Sequence, residues 1–240
     1  MKKFCRYLAV VLSFATPGFA QQAAPPQAQH HGHTAAATTS PSADQIWASL
    51  VAGNQRFVAG KPRAHALVAL RHKLATAQQP HVIVLSCSDS RVSPELVFDQ
   101  TIGDLFVVRT AGNVADPIAL GSIEYAVDHV HSSVLVVLGH QKCGAVAAAC
   151  SSEKMPSRNL DAIVEKIAPA VAQAKTYAKP DDLIDSAIKE NVQQSAKDVQ
   201  TNSKIVRDAV AGGKLTVIDA EYELDTGKVL RLNPPAGNQN

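Results

Sequence analysis

HVIVLSCSDSR, residues His81 to Arg91, opens with an apolar, β-branched run and stops on a polar cluster. A short continuous apolar run bounded this way suits a strand buried on both faces of a sheet. Leu105 to Val108 (LFVV), Val134 to Leu138 (VLVVL) and Leu215 to Ala220 (LTVIDA) repeat the pattern. Helical spacing fills the intervals. Pro117 to Asp128 reads as one helix. Leu160, Ile163, Val164, Ile167 and Val171 mark a second, and Ile184, Ile188, Val192, Val199, Val206 and Val210 a third, long one. Upstream, Ile46, Trp47, Leu50, Val51, Phe57 and Val58 give an N-terminal helical arm stopped at Gly60-Lys61-Pro62, and a short helix is expected over Ala66 to Ala77, before Pro80. Downstream, Glu221 to Leu232 reads as an antiparallel edge hairpin across Asp225-Thr226-Gly227. Strands alternating with helices predict an α/β domain with a mainly parallel sheet flanked by helices.

The chain has 240 residues, 46% of them hydrophobic and 18% charged, enough apolar material for one large core. The formal net charge is +2, so no dense basic face for nucleic acid is expected. The beginning has a separate logic. Lys2, Lys3 and Arg6 precede an almost wholly apolar stretch from Tyr7 to Phe19, with Gly18 and Ala20 small before Gln21. That is the pattern of a cleaved secretory signal over residues 1–20, too short to be a stable membrane anchor. Its removal takes three of the 23 cations and leaves 20 against 21 anions, a net −1. Residues 21–42, rich in Gln, Ala, Pro, Thr and His (His30, His31, His33), read as a disordered linker. The ordered domain is expected over 43–232 and a flexible tail over 233–240. An exported protein of this kind would be periplasmic.

Export also removes Cys5 and leaves Cys87, Cys143 and Cys150, an odd number that does not suit a disulfide framework. Cys87 and His140 follow predicted strands, and Cys143 comes three residues after His140 at a helix start. Ligands of open α/β sheets bind beyond the carboxyl ends of strands, so all three side chains can meet there. Two thiolates and an imidazole suit Zn²⁺ and leave its fourth position open to water, whose pKa zinc lowers to about 7. Taken singly, each would be read as a core residue, since a buried Cys behaves as a small hydrophobe. Beside them, Asp89 and Arg91 share a face if the segment is extended, and an Arg fork would keep the carboxylate ionised. Cys150 is expected to be a buried free thiol rather than a fourth ligand. No C-x-x-C supports a thiol oxidoreductase, and no H-x-E with P-C-x-x-C supports a zinc deaminase.

Cys87-Ser88-Asp89-Ser90-Arg91-Val92 together with Gly139-His140-Gln141-Lys142-Cys143-Gly144-Ala145 resembles the β-class carbonic anhydrases. Leu105 to Asn113, Gly121 to Val127 and the Glu190-Asn191-Val192 triplet extend the likeness over about Ser42 to Leu232. The resemblance implies a zinc lyase that interconverts CO₂ and bicarbonate through zinc-bound hydroxide. It implies Cys87, His140 and Cys143 as ligands of one Zn²⁺ per subunit and Asp89–Arg91 as a catalytic dyad. The substrate pocket it implies contains Gln78, Phe106, Ala111, Tyr125 and Gly144, with Gln78 acting from a neighbouring subunit. It further implies a homodimer, or a dimer of dimers, embraced by the N-terminal helix. The regulated branch of the family carries Trp and Gly where this chain has Val84 and Ser86, which points to the plant-like branch with an open site. His129 and His131 are candidates for proton transfer by residue type alone. A CS₂ or COS hydrolase on the same scaffold and a noncatalytic zinc protein are the rival readings.

Overall fold

A computed structural model describes residues 41–151 and 153–233. The expected signal segment, nearly all of the linker with its three histidines, and the tail beyond Asn233 lie outside the described residues. Five strands form one sheet in the order β2-β1-β3-β4-β5: β1 Val82–Cys87, β2 Leu105–Thr110, β3 Val134–His140, β4 Thr216–Tyr222 and β5 Val229–Arg231. The first four pair in parallel and β5 closes the edge antiparallel to β4. Every residue of β1 and β3 is buried, as their unbroken apolar runs require of central strands.

The helices cover both faces. On one face α4 (Pro117–Asp128), α7 (Leu183–Asn202) and α8 (Lys204–Ala211) bring Ile123, Val192, Val199 and Val206 onto Ile83, Leu85, Leu135 and Val137. On the other, α1 (Ala43–Val58) and the single turn α3 (Pro94–Val97) pack Ile46, Leu50 and Val97 onto Val84, Val136, Leu138 and Ile218. A third apolar cluster joins α5 (Gly144–Ser151) and α6 (Arg158–Ala174) to the carboxyl ends of the strands. Among the described residues no helix is long and apolar enough to cross a membrane.

Four local expectations need correction. Cys87 and His140 are the last residues of β1 and β3 rather than residues beyond them, because Cys87 pairs with Thr110 and His140 with Tyr222. The short helix α2 covers only Leu67–Lys73; Pro80 forces extended backbone before it, and the chain runs without helix from there back to the turn after Leu74. The long third helix is two helices. Ser203 leaves helical geometry, accepts the Val206 N–H with its hydroxyl oxygen and donates to Glu124 at 2.6 Å, which starts α8 afresh. Ser88 to Arg91 is not extended: the Val92 N–H bonds the Asp89 carbonyl and closes a turn.

One buried group on the sheet lacks a donor. Asp219 on β4 is 8% exposed, and its Oδ1 has no hydrogen-bond partner among the described residues. Burial pushes its carboxyl up to about 6. An acid whose folded pKa lies above its unfolded value stabilises the fold only while protonated, so stability is lost as pH rises from about 4 through 6. Two units correspond to an upper bound of about 3 kcal/mol. Asp219→Asn is therefore expected to raise the unfolding free energy in urea by about 2 kcal/mol at pH 8 and to leave it unchanged near pH 4. Equal stability of the two proteins across that range would sink the assignment.

Candidate metal centre

Parallel pairing sets Cys87 and His140 at the same end of adjacent strands, and a two-residue link then carries the chain to Cys143 at the mouth of α5. The link does not use helical i, i+3 geometry, since His140 is still in β3. Lys142 instead adopts a left-handed conformation, φ 56°, which folds the chain back. All three side chains are buried, and their ligand atoms lie within 4.8 Å of one another.

Their chemistry is set by neighbours. The Gln141 carbonyl, 2.8 Å from Nδ1 of His140, can only accept, so Nδ1 carries the proton and Nε2 offers a lone pair. That Nε2 is buried without a hydrogen-bond partner among the described residues. An imidazole lone pair beside two thiols is a donor set for a soft or borderline cation, and the set fits zinc with one coordination position to spare. Neighbouring Cys143, with the backbone N–H groups of Gly112 and Asp89, lowers the Cys87 thiol below its usual range against the opposing effect of burial. Cys143 is pushed up by its proximity to Cys87 and by burial.

The carboxylate next door is ionised. Arg91 donates from Nε to Asp89 Oδ1 at 2.9 Å and from Nη2 to Oδ2 at 2.7 Å, while its backbone N–H also reaches Oδ1 at 2.9 Å. These bonds hold Asp89 well below the usual carboxylate range. Asp89 Oδ2 is 3.9 Å from His140 Nε2, so the dyad borders the metal position.

Several supporting residues escaped sequence reasoning. Arg109 spans the loop from β1, donating to the Cys87 carbonyl at 3.0 Å and the Asp89 carbonyl at 2.6 Å. Gly112 donates its N–H to Cys87 Sγ at 3.3 Å. Its φ is 66°, and a Cβ there would come within 2.7 Å of Ile167 Cδ1. Buried Asn191 on α7 holds the Gly112 carbonyl at 2.8 Å. Only membership in the two resembling stretches singled out Gly112 and Asn191 beforehand.

The expected pocket residues divide into two groups. Ala111 and Gly144 lie beside Gly112 and Cys143, at the metal end. Phe106 pairs with Ile83, four residues before the Cys87–Thr110 pair and roughly 13 Å back along the strand. Its ring is 6.2 Å from that of Tyr125. Gln78 and Tyr125 line a separate cleft of about 750 Å³ together with Arg71, Ile102 and His129. His131 lines a different cleft. Cys150 is free but half-buried rather than buried, because the last turn of α5 lies at the edge of its cluster.

Residues 82–229 match the carbonic anhydrase family. The chain is 39% identical over 199 residues to carbonic anhydrase 2 of Mycobacterium tuberculosis, a match covering 80% of this chain and 93% of that protein. Among solved structures it resembles the tetrameric β-carbonic anhydrases of Sordaria macrospora, with a TM-score of 0.63, 25% identity and coverage of 79% of this chain and 98% of that one. The Coccomyxa β-carbonic anhydrase in complex with acetazolamide gives 0.63 at 28% identity, covering 79% and 83%.

Proposed function

The chain belongs to the β-class carbonic anhydrases, and from that premise we propose that Cys87, His140 and Cys143 hold one Zn²⁺ per subunit at a site that reversibly hydrates carbon dioxide to bicarbonate and a proton. The carrying observation is the buried thiol–imidazole–thiol cluster with its orphaned Nε2, bordered by an arginine-held carboxylate. Zinc bound there would supply a Lewis acid that acidifies water near neutral pH. Asp89, kept ionised by Arg91, accepts a hydrogen bond from the attacking oxygen and aims its lone pair at the CO₂ carbon. Both Asp89 oxygens are engaged by Arg91, which supports the open-site reading. In the same reading Gly144, at the first turn of α5, would supply a backbone N–H to the substrate oxygens.

Gln78, Phe106 and Tyr125 cannot reach the metal end of their own chain, and a second copy would bring them there. Exposed apolar side chains on α2 and α4, Val68 and the 80% exposed Ile118, support a surface covered in an assembly. The tetrameric Sordaria relatives fit a dimer of dimers. The N-terminal signal pattern supports export to the periplasm.

His129 shares the cleft of Gln78 and Tyr125, its ring 5.0 Å from Tyr125 and its Nδ1 3.0 Å from Asp128 Oδ2. An imidazole there is suited to take the product proton to solvent, whereas His131 is not so placed. His129→Ala is expected to lower kcat about tenfold in dilute buffer, with kcat/KM kept and added imidazole restoring the rate. A kcat unchanged in dilute buffer would remove His129 from the pathway.

The reading is tested by stopped-flow CO₂ hydration on zinc-loaded protein, with CS₂ and COS as rival substrates. Hydration within the range of the family supports it. Bound zinc without CO₂ hydration overturns it in favour of the rival substrates or a noncatalytic zinc protein.

A further inference from the structure

Lys142 stands between two of the three proposed ligands in a conformation that lysine disfavours. A left-handed residue crowds its Cβ against the following carbonyl, and lysine lacks the short polar side chain that lets Asn or Asp tolerate it. Such a residue persists only where its surroundings over-determine it. Here they do so from three sides. The Gln141 N–H before it is fixed by the Tyr222 carbonyl at 3.0 Å. The Lys142 carbonyl accepts from Arg91 Nη2 at 3.4 Å. Its Nζ contacts both carboxylate oxygens of Asp225 at 2.8 Å.

Asp225 sits in the turn between β4 and β5, far along the chain, and that turn is itself anchored. Glu223 and Lys228 close it through a 2.8 Å backbone bond, and Gly227 bonds back to Glu223 at 2.9 Å. Asn54 of α1 donates to the Gly227 carbonyl at 2.8 Å. A carboxylate carried on an anchored turn therefore meets the end of a side chain whose backbone joins His140 to Cys143 and whose carbonyl accepts from Arg91.

We infer that Asp225 is a positioning residue: through its ion pair with Lys142 it holds the His140–Cys143 link, and with it Arg91, in the geometry that receives the metal. The inference rests on the zinc reading above. The Lys142 and Asp225 side chains are 59% and 70% exposed, so the expected effect is a several-fold one.

The test measures the zinc dissociation constant by competition with a chromogenic chelator, together with thermal unfolding of the zinc-free protein. Asp225→Asn and Lys142→Ala are each expected to weaken zinc binding about three- to fivefold, with the zinc-free melting temperature unmoved. Asp225→Glu should recover most of the loss. Lys142→Gly loses the ion pair but adopts the left-handed conformation freely, so it should bind zinc more tightly than Lys142→Ala. Hydrogen exchange of a peptide spanning residues 139–147 in zinc-free protein should speed up in Asp225→Asn.

Parent-like zinc affinity in Asp225→Asn, or an effect of Lys142→Ala without one of Asp225→Asn, overturns the inference. Failure of the function reading looks different. Tight zinc without CO₂ hydration in the parent protein would leave the zinc readout intact. A parent that binds no zinc would leave the exchange readout to decide, and unchanged exchange in Asp225→Asn would then overturn the inference.

Discussion

Replacing Cys87 by alanine is expected to remove zinc from the protein and CO₂ hydration with it. The sulfur is one of only three protein donors in a cluster that leaves a fourth position open, and two donors cannot hold the ion against competing chelators. Loss of an outer-shell partner already costs about 10- to 100-fold in affinity or activity, so loss of a ligand should exceed about 100-fold in both. The fold should survive. Cys87 contributes one buried sulfur to a large cluster, and truncating it costs on the order of 1 kcal/mol. Metal content by mass spectrometry and hydration by stopped flow, on protein with parent-like unfolding, check this together. A Cys87→Ala protein that kept a full equivalent of zinc would show that the cluster is not the metal site.

Gly53→Ala should produce the largest loss of stability of any single methyl addition in α1. A Cβ at Gly53 would lie 1.9 Å from the Phe98 carbonyl oxygen and 2.8 Å from its carbonyl carbon. The obstacle is backbone at the end of α3, so no rotamer change relieves it. The helix must lift from the sheet, and Ile46 and Leu50 would lose their contacts with it. Overpacking of this kind costs about 1–3 kcal/mol, and forced helix displacement belongs at or above the upper limit. Alanine's better helix propensity returns at most about 1 kcal/mol. A urea titration in which Gly53→Ala matched the parent protein would mean that α1 does not dock as described.

Much of this architecture was legible because its signals are strong and local. The runs at Val82 and Val134 suit buried strands and form the central ones, and Pro117 to Asp128 forms a helix with the bounds its pattern implies. The cysteines and histidine were legible as ligand types at strand ends. What escaped was set by contacts between distant segments. Ser203 is a residue type that can cap a helix, but its second partner, Glu124, lies on another helix and is not visible along the sequence. Asp89 and Arg91 do pair, yet through a turn rather than a strand face. Arg109 stands out only as part of the resembling stretch Leu105 to Asn113, and nothing local tells that its guanidinium spans two carbonyls of the loop from β1. Asp219 interrupts an apolar strand, and only the sheet's covering makes its burial costly.

Asn54 gives the molecule an order of assembly. Its amide donates to the carbonyls of Val97 and Gly227 and its oxygen accepts from Val229, closing hydrogen bonds across 173 and 175 residues of chain. Among the described residues the first helix therefore cannot be fully seated until nearly the last strand has followed. Contacts of such separation slow folding and leave early segments exposed meanwhile. That delay leaves the apolar faces of Ile46 and Leu50 uncovered through synthesis, and the domain closes only once β5 is in place.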